Sequence, residues 1–188
     1  MSSLEALNAR ISTPSRMLRP PGPTDAQLAL LLEAAMHVPD HGRLAPWRFL
    51  QISGESRLAL GEILVARLRE REPDASAAAL EKERLRFACA PCIITVIGQP
   101  VRGHKVPAVE QLLSGGAVCL SLLHAAHALG FAAQWLTSWA AYDPVVTARL
   151  GLGRDEQVLG FIHIGGSAAA ASERPRPELA GRLRQWIP

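Results

Sequence analysis

The chain has 188 residues, of which 48% are hydrophobic and 20% charged, enough to bury about 70% of its unfolded surface around a core of its own. Its net charge of +3 and an aromatic content of 5% do not describe a nucleic-acid module, which gathers Lys and Arg on one face with interleaved aromatic residues. Three cysteines, an odd number without a charged-then-apolar leader, argue against a disulfide-built secreted fold and for a reducing compartment, with the cytoplasm as the expectation.

In chain order, Ser2 and Glu5 have capping-box spacing and predict a short helix ending near Arg10. The stretch ISTPSRMLRPPGP reads as irregular. Thr24 and Gln27 repeat the capping box, and Leu28, Leu31, Leu32 and Ala35 share one face of a second helix that Pro39 stops. A polar loop, VPDHGRLAPW, leads into the strand WRFLQIS. Two charged amphipathic helices follow over Leu58 to Arg71 and Ala77 to Phe87, with Asp74 as a candidate N-cap for the second. CIITVIG is a continuous β-branched strand of the kind covered on both faces. The long helix of Val109 to Leu129, a second covered strand FAAQWLTS, a short helix opened by Asp143-Pro144 and closed by Gly151, and the strand QVLGFIHIGG complete the set. Four strands separated by helices predict a parallel or mixed sheet between helical layers, with no domain boundary: one domain over 1–188 and a polar tail from about 167.

The span Leu112 to Trp135 has no Asp, Glu, Lys or Arg and is long enough to cross a bilayer. Its two histidines, Gly115-Gly116 and Gly130 divide it into a buried helix and a strand, so no membrane is expected. Each interior glycine costs a helix about 1 kcal/mol relative to alanine, so something packs against Gly115-Gly116: a neighbouring subunit or a close crossing within the monomer.

Several patterns offer chemistry. Cys89-Ala-Pro-Cys92 resembles a dithiol centre, but a helix precedes it and a strand follows, the reverse of the redox-active arrangement, and packing is the preferred reading. His124 and His127 could face one metal with His104, His163 or Cys119, but no carboxylate supports a site and no metal is expected. Pro39 prevents His37 and His41 from sharing a helix face. Neither glycine-rich phosphate motif is present, since Gly151-Leu-Gly153 lacks a third glycine, which leaves Arg10-Ile-Ser12, where a guanidinium and a hydroxyl two residues apart can reach one phosphate.

Taken in order, Arg10-Ile-Ser12, the P-D-H…P-W loop, HKVPAVEQLLSGG and GFAAQWLTS resemble the FMN-dependent nitroreductase family, in its small single-domain branch, from about Leu4 to Gly166. The resemblance implies an α+β, three-layer α-β-α sandwich with a central mixed, mostly antiparallel sheet, in place of the parallel one. It also implies a homodimer with FMN at the interface. By the same resemblance Arg10, Ile11 and Ser12 hold the ribityl phosphate, and Trp135, Leu136 and Thr137 lie against the flavin of the same chain. His37 and His41 reach the FMN of the partner. Arg174 or Arg176 matches a basic residue that the family places on the phosphate. The implied activity is NAD(P)H-dependent reduction of nitroaromatics, quinones or similar small acceptors by ping-pong hydride transfer, with no catalytic side chain. A flavin-binding sensor or storage module with little turnover is the alternative. The chain departs from the pattern at Arg43 and Ala45, where many members have Asn and Gln, and at Leu136, where the close branch has a polar or basic residue.

Overall fold

The computed structural model describes residues 2–167 and 173–187. Both capping boxes form. Ser2 Oγ accepts from Glu5 N ahead of α1 (Ser3–Ala9), and Thr24 Oγ1 accepts from Gln27 N ahead of α2 (Asp25–Ala35), each third residue returning the bond. The remaining elements are β1 (Leu18–Arg19), β2 (Trp47–Ser53), α3 (Ser56–Arg71), α4 (Ala77–Arg84), β3 (Cys92–Gly98), α5 (Ala108–Ala128), β4 (Ala132–Leu136), α6 (Pro144–Arg149) and β5 (Gln157–Ser167).

Every strand pairing is antiparallel, in the order β1-β5-β3-β2 with β4 also on β5. The parallel expectation read from alternating strands and helices is therefore corrected. Covered strands look alike whichever way they run, and the long helical connections hide the direction. β3 is buried along its whole length, and each of its large aliphatic side chains contributes about 1.5–3 kcal/mol when withdrawn from water.

Helices cover both faces of the sheet. On one, Leu28, Leu31 and Ala35 of α2 and Val118, Cys119, Leu122 and Ala126 of α5 pack on Ile94, Val96, Ile162 and Ile164. On the other, Leu60 and Leu64 of α3, Phe87 and Val146 pack on Ile93, Val158 and Phe161. This is the three-layer α+β sandwich. By length and composition α5 could cross a membrane, but it lies here as a core helix with Gln111, Ser114, Val118, Leu122 and Ala126 buried.

Four local expectations change. The two residues of β1 fall in the stretch read as irregular. The N-cap of α4 is Ser76, whose side chain accepts from Ala79 N, not Asp74, and the helix ends at Arg84 rather than Phe87. β4 is only partly covered, with Trp135 37% exposed. Gly115 makes room for neither a helix nor a second subunit: a Cβ there would lie 2.3 Å from Leu159 Cδ1 of β5. Gly116, by contrast, has nothing within 4 Å. The tail over residues 173–187 has no helix or strand, and although polar in composition it exposes Leu179, Leu183, Trp186 and Ile187.

The tightest approach to backbone is at Gly61 of α3, where a Cβ would lie 2.2 Å from the Arg84 carbonyl oxygen of α4. Backbone cannot step aside as a leucine can. Gly61→Ala is expected to lower stability by about 1–3 kcal/mol, and Gly115→Ala by less, because Leu159 can rotate and alanine favours the helix. Urea-unfolding midpoints at constant slope measure both.

Candidate functional site

α1 ends at Ala9, and the extended backbone of Arg10, its C-cap, turns the chain out of the helix. The following segment is tied to β4: Thr13 N donates to Ala133 O at 3.0 Å, and Ser15 N donates to Gln134 Oε1 at 2.5 Å. Arg10, Ile11 and Ser12 thus run beside β4 with their side chains half-buried. Arg10 Nη1 donates to Ser12 Oγ at 3.3 Å, so the guanidinium and the hydroxyl do converge.

A second guanidinium arrives from the tail. Arg176 Nη2 donates to the Arg10 carbonyl at 3.2 Å, while Arg174 makes no hydrogen bond or ion pair among the described residues. A cleft of about 410 Å³ opens here, lined by Asn8, Arg10, Leu120, His124, Glu173 and Arg176. No carboxylate pairs with Arg10 among the described residues. His124 titrates below its ordinary range because it is partly buried and faces the positive charge of Arg10. Two guanidiniums and a hydroxyl, with no carboxylate bonded to either guanidinium among the described residues although Glu173 lines the same cleft, form a donor set that fits a phosphomonoester.

β4 supplies the adjoining wall. The Trp135 indole lies over Gly160, with Nε1 donating to Leu159 O at 3.0 Å. Gly160 is required there, since a Cβ would fall 2.1 Å from Nε1. Leu136 and Thr137 are half-buried at the strand end. Ser138, which sequence reasoning missed, sits next at φ 60 and ψ 176, a region nearly reserved for glycine, and its buried Oγ has no hydrogen-bond partner. A serine carries no signal of such a conformation, so nothing in the sequence could have flagged it.

His37 and His41 lie elsewhere. Both are exposed on the loop after α2, and His41 Nδ1 meets Glu110 Oε2 at 2.6 Å in the first turn of α5. Pro39, His41, Glu110, Leu113 and Ser114 line a separate cleft of about 350 Å³, closed at its base by Ser114 Oγ donating to the Pro39 carbonyl at 2.6 Å. Within one chain these histidines do not join the Arg10 cradle.

The remaining candidates resolve as packing. Burial pushes the Cys92 thiol up to about 11 and Cys119 up to about 12, which leaves neither poised as a thiolate nucleophile. His163 is buried against Phe87, with ring centroids 5.6 Å apart, and burial followed by the charge of Arg86 lowers it to about 4. The His104 Nδ1 accepts from Val106 N at 3.1 Å. Among the described residues no group of three His, Cys, Asp or Glu side chains could hold a metal ion.

Against this geometry, the model of the nitroreductase family matches residues 8–166. The Escherichia coli K12 protein YdjA, which bears the provisional name of NAD(P)H nitroreductase, is 35% identical over 177 residues, spanning 92% of each chain. A nitroreductase-like family protein from Bacillus cereus superposes with a TM-score of 0.83 at 20% identity, covering 99% of this chain and 96% of its own. A provisionally named nitroreductase of Desulfovibrio desulfuricans, solved in complex with FMN, superposes at 0.72 with 27% identity, covering 98% and 97%.

The contact between Trp135 and Gly160 yields a prediction by double-mutant cycle. Gly160→Ala is expected to destabilise the parent protein strongly and a Trp135→Ala background much less, giving a coupling of about 0.5–3 kcal/mol from paired denaturation curves.

Proposed function

Because this chain belongs to the nitroreductase family, we propose that it is an FMN-dependent NAD(P)H oxidoreductase that acts as a homodimer on nitroaromatics, quinones or similar small acceptors in ping-pong order. The observation that carries the reading is the cradle of Arg10, Ser12 and Arg176, positive and without a carboxylate partner on Arg10, bonded through Thr13 to β4. Arg10 and Ser12 bind the phosphate, with Arg176 rather than Arg174 as the third donor. Ile11 packs beside them. Trp135, Leu136 and Thr137 provide the wall along which the ring system is oriented.

FMN, when bound, supplies the acceptance of a hydride from the nicotinamide and its delivery to the second substrate. The chain's own residues bind, orient and exclude water, so no side chain need act as acid, base or nucleophile. His37 and His41 serve the site of the partner subunit, which accounts for their distance from Arg10 within one chain. The exposed apolar side chains Val109, Leu113 and Leu120 of α5, together with Leu4 and Leu7 of α1, support a second copy as the covering surface. Free thiols at Cys89, Cys92 and Cys119 suit the cytoplasm.

Purified protein is expected to be yellow and to bleach under anaerobic NADPH or NADH. A flavin that resists both nicotinamides would point to a binding module without turnover, and protein that neither carries nor takes up FMN would end the reading. Arg10→Ala is expected to weaken FMN retention by about 1–3 kcal/mol, the range for a hydrogen bond to a charged group, measured by titrating the apoprotein with FMN.

A further inference from the structure

A second arginine without a protein partner for its side chain among the described residues, Arg43, lies outside the cradle, on the loop between α2 and β2. Three of its residues adopt left-handed backbone: Gly42 at φ 78, Arg43 at φ 51 and Ala45 at φ 44. Arg43 and Ala45 have no glycine freedom, and each such residue stores strain that its surroundings must offset. Asp40 provides the brace. Its Oδ2 accepts from Ala45 N at 2.7 Å and its carbonyl accepts from Arg43 N at 3.1 Å.

The loop abuts the segment ahead of α5. A Cβ on Gly42 would meet the side chains of Val106 at 3.4 Å and His104 at 3.8 Å, so the loop packs against that segment. Arg43 follows Gly42 and Lys105 follows His104, which places both cations on adjoining loops. The nearby carboxylates are engaged: Asp40 with Ala45 N, Glu110 with His41 and Asp155 with Arg102. Arg43 and Lys105 are exposed, and neither has a hydrogen bond or ion pair among the described residues. A freely solvated arginine needs no braced, left-handed backbone to present it.

We propose that Arg43 and Lys105 receive the adenosine 2′-phosphate of the incoming nicotinamide coenzyme, so that the chain selects NADPH over NADH. The inference rests on the preceding reading, in which His41 of the same loop serves a flavin. The two coenzymes share the nicotinamide and the diphosphate and differ in this one phosphomonoester, which carries close to two negative charges near neutral pH. Arginine offers it a planar fork and lysine a point charge. The group takes no part in hydride transfer, so its binding is uniform between ground and transition states and the selection falls on KM rather than kcat.

The test uses the flavin-loaded protein and two readouts. Steady-state kinetics with NADPH and NADH are compared for the parent, Arg43→Ala, Lys105→Ala and the double variant, with flavin content read by absorbance. Calorimetry compares adenosine 2′,5′-bisphosphate with adenosine 5′-monophosphate. The parent is expected to favour NADPH at least tenfold in kcat/KM. The double variant should lose roughly ten- to hundredfold with NADPH, through KM, as expected for losing charge-assisted hydrogen bonds, and should keep its NADH activity and flavin. Bisphosphate binding should weaken in parallel, and added salt should narrow the preference. Equal use of both coenzymes by the parent, equal losses with both in the variants, or bisphosphate affinity unchanged by the substitutions would each overturn the assignment. Protein without flavin would count against the preceding reading instead, and calorimetry would then decide the phosphate site alone.

Discussion

The arrangement depends on the neighbours that β5 can accept. This strand pairs with β3 along one side, with β4 on the other and with β1 at its end, so its side chains set the spacing of much of the molecule. Gly160 leaves the space in which the Trp135 indole lies flat, and Gly165 leaves space for Pro91 and the Arg19 carbonyl. Leu159, between Gly160 and Val158, fills the gap created by Gly115 on α5. One strand thereby fixes both the wall of the candidate flavin site and the seat of the long helix. A methyl group in the wrong place on it would disturb both, because close-packed interiors transmit such changes.

Several guanidiniums are spent on holding the elements together. Arg48 grips Glu156 through two nitrogens, at 2.8 and 2.7 Å, and its hydrogen bonding holds that carboxyl down at about 2. Arg67 straddles Asp143, Arg86 clasps Glu83, and Arg84 reaches both Glu62 and Glu81. These pairs tie α3, α4, α6 and the β2 edge together. Arg10, Arg43 and Arg176 have no carboxylate partner among the described residues, although Glu173 lines the same cleft as two of them.

Much of the scaffold was legible in the sequence because its signals are local. Both capping boxes, the Asp143-Pro144 start and the unbroken aliphatic run of β3 each state their structure within a few residues. Strand direction was not legible from periodicity, since β-branched cores repeat the same way in either sense, and only the family resemblance pointed to antiparallel pairing. β1 escaped notice because two residues carry no period. Asp74 and Ser76 are both good caps, and only the geometry chooses between them. The convergence of Arg10 and Ser12 was legible, since a charge stands two residues from a hydroxyl. Ser138, Arg43 and Ala45 were silent because left-handed backbone at a non-glycine residue is imposed by tertiary contacts, not by propensity.

The two clefts stand at opposite ends of α5, and this bears on the proposed dimer. Glu110, the partner of His41, lies in the first turn, whereas His124 lines the Arg10 cleft near the last. At 1.5 Å per residue the separation along the axis is about 21 Å, too far for one chain's His41 loop to serve its own Arg10 cradle. A twofold axis passing close to Ala117 would lay two copies of α5 antiparallel and set Glu110 of each against His124 of the other. Such an interface is isologous, so the patch must complement itself. The stripe of Val109, Leu113, Gly116 and Leu120 has that property, with Leu113 and Leu120 nearly equidistant from the axis and exposed. Gly116, with open space where a Cβ would stand, lies next to the axis, where two helices would come closest. On this geometry the two interior glycines would divide the work: Gly115 accommodates Leu159 of its own chain, and Gly116 would leave room for the neighbouring helix.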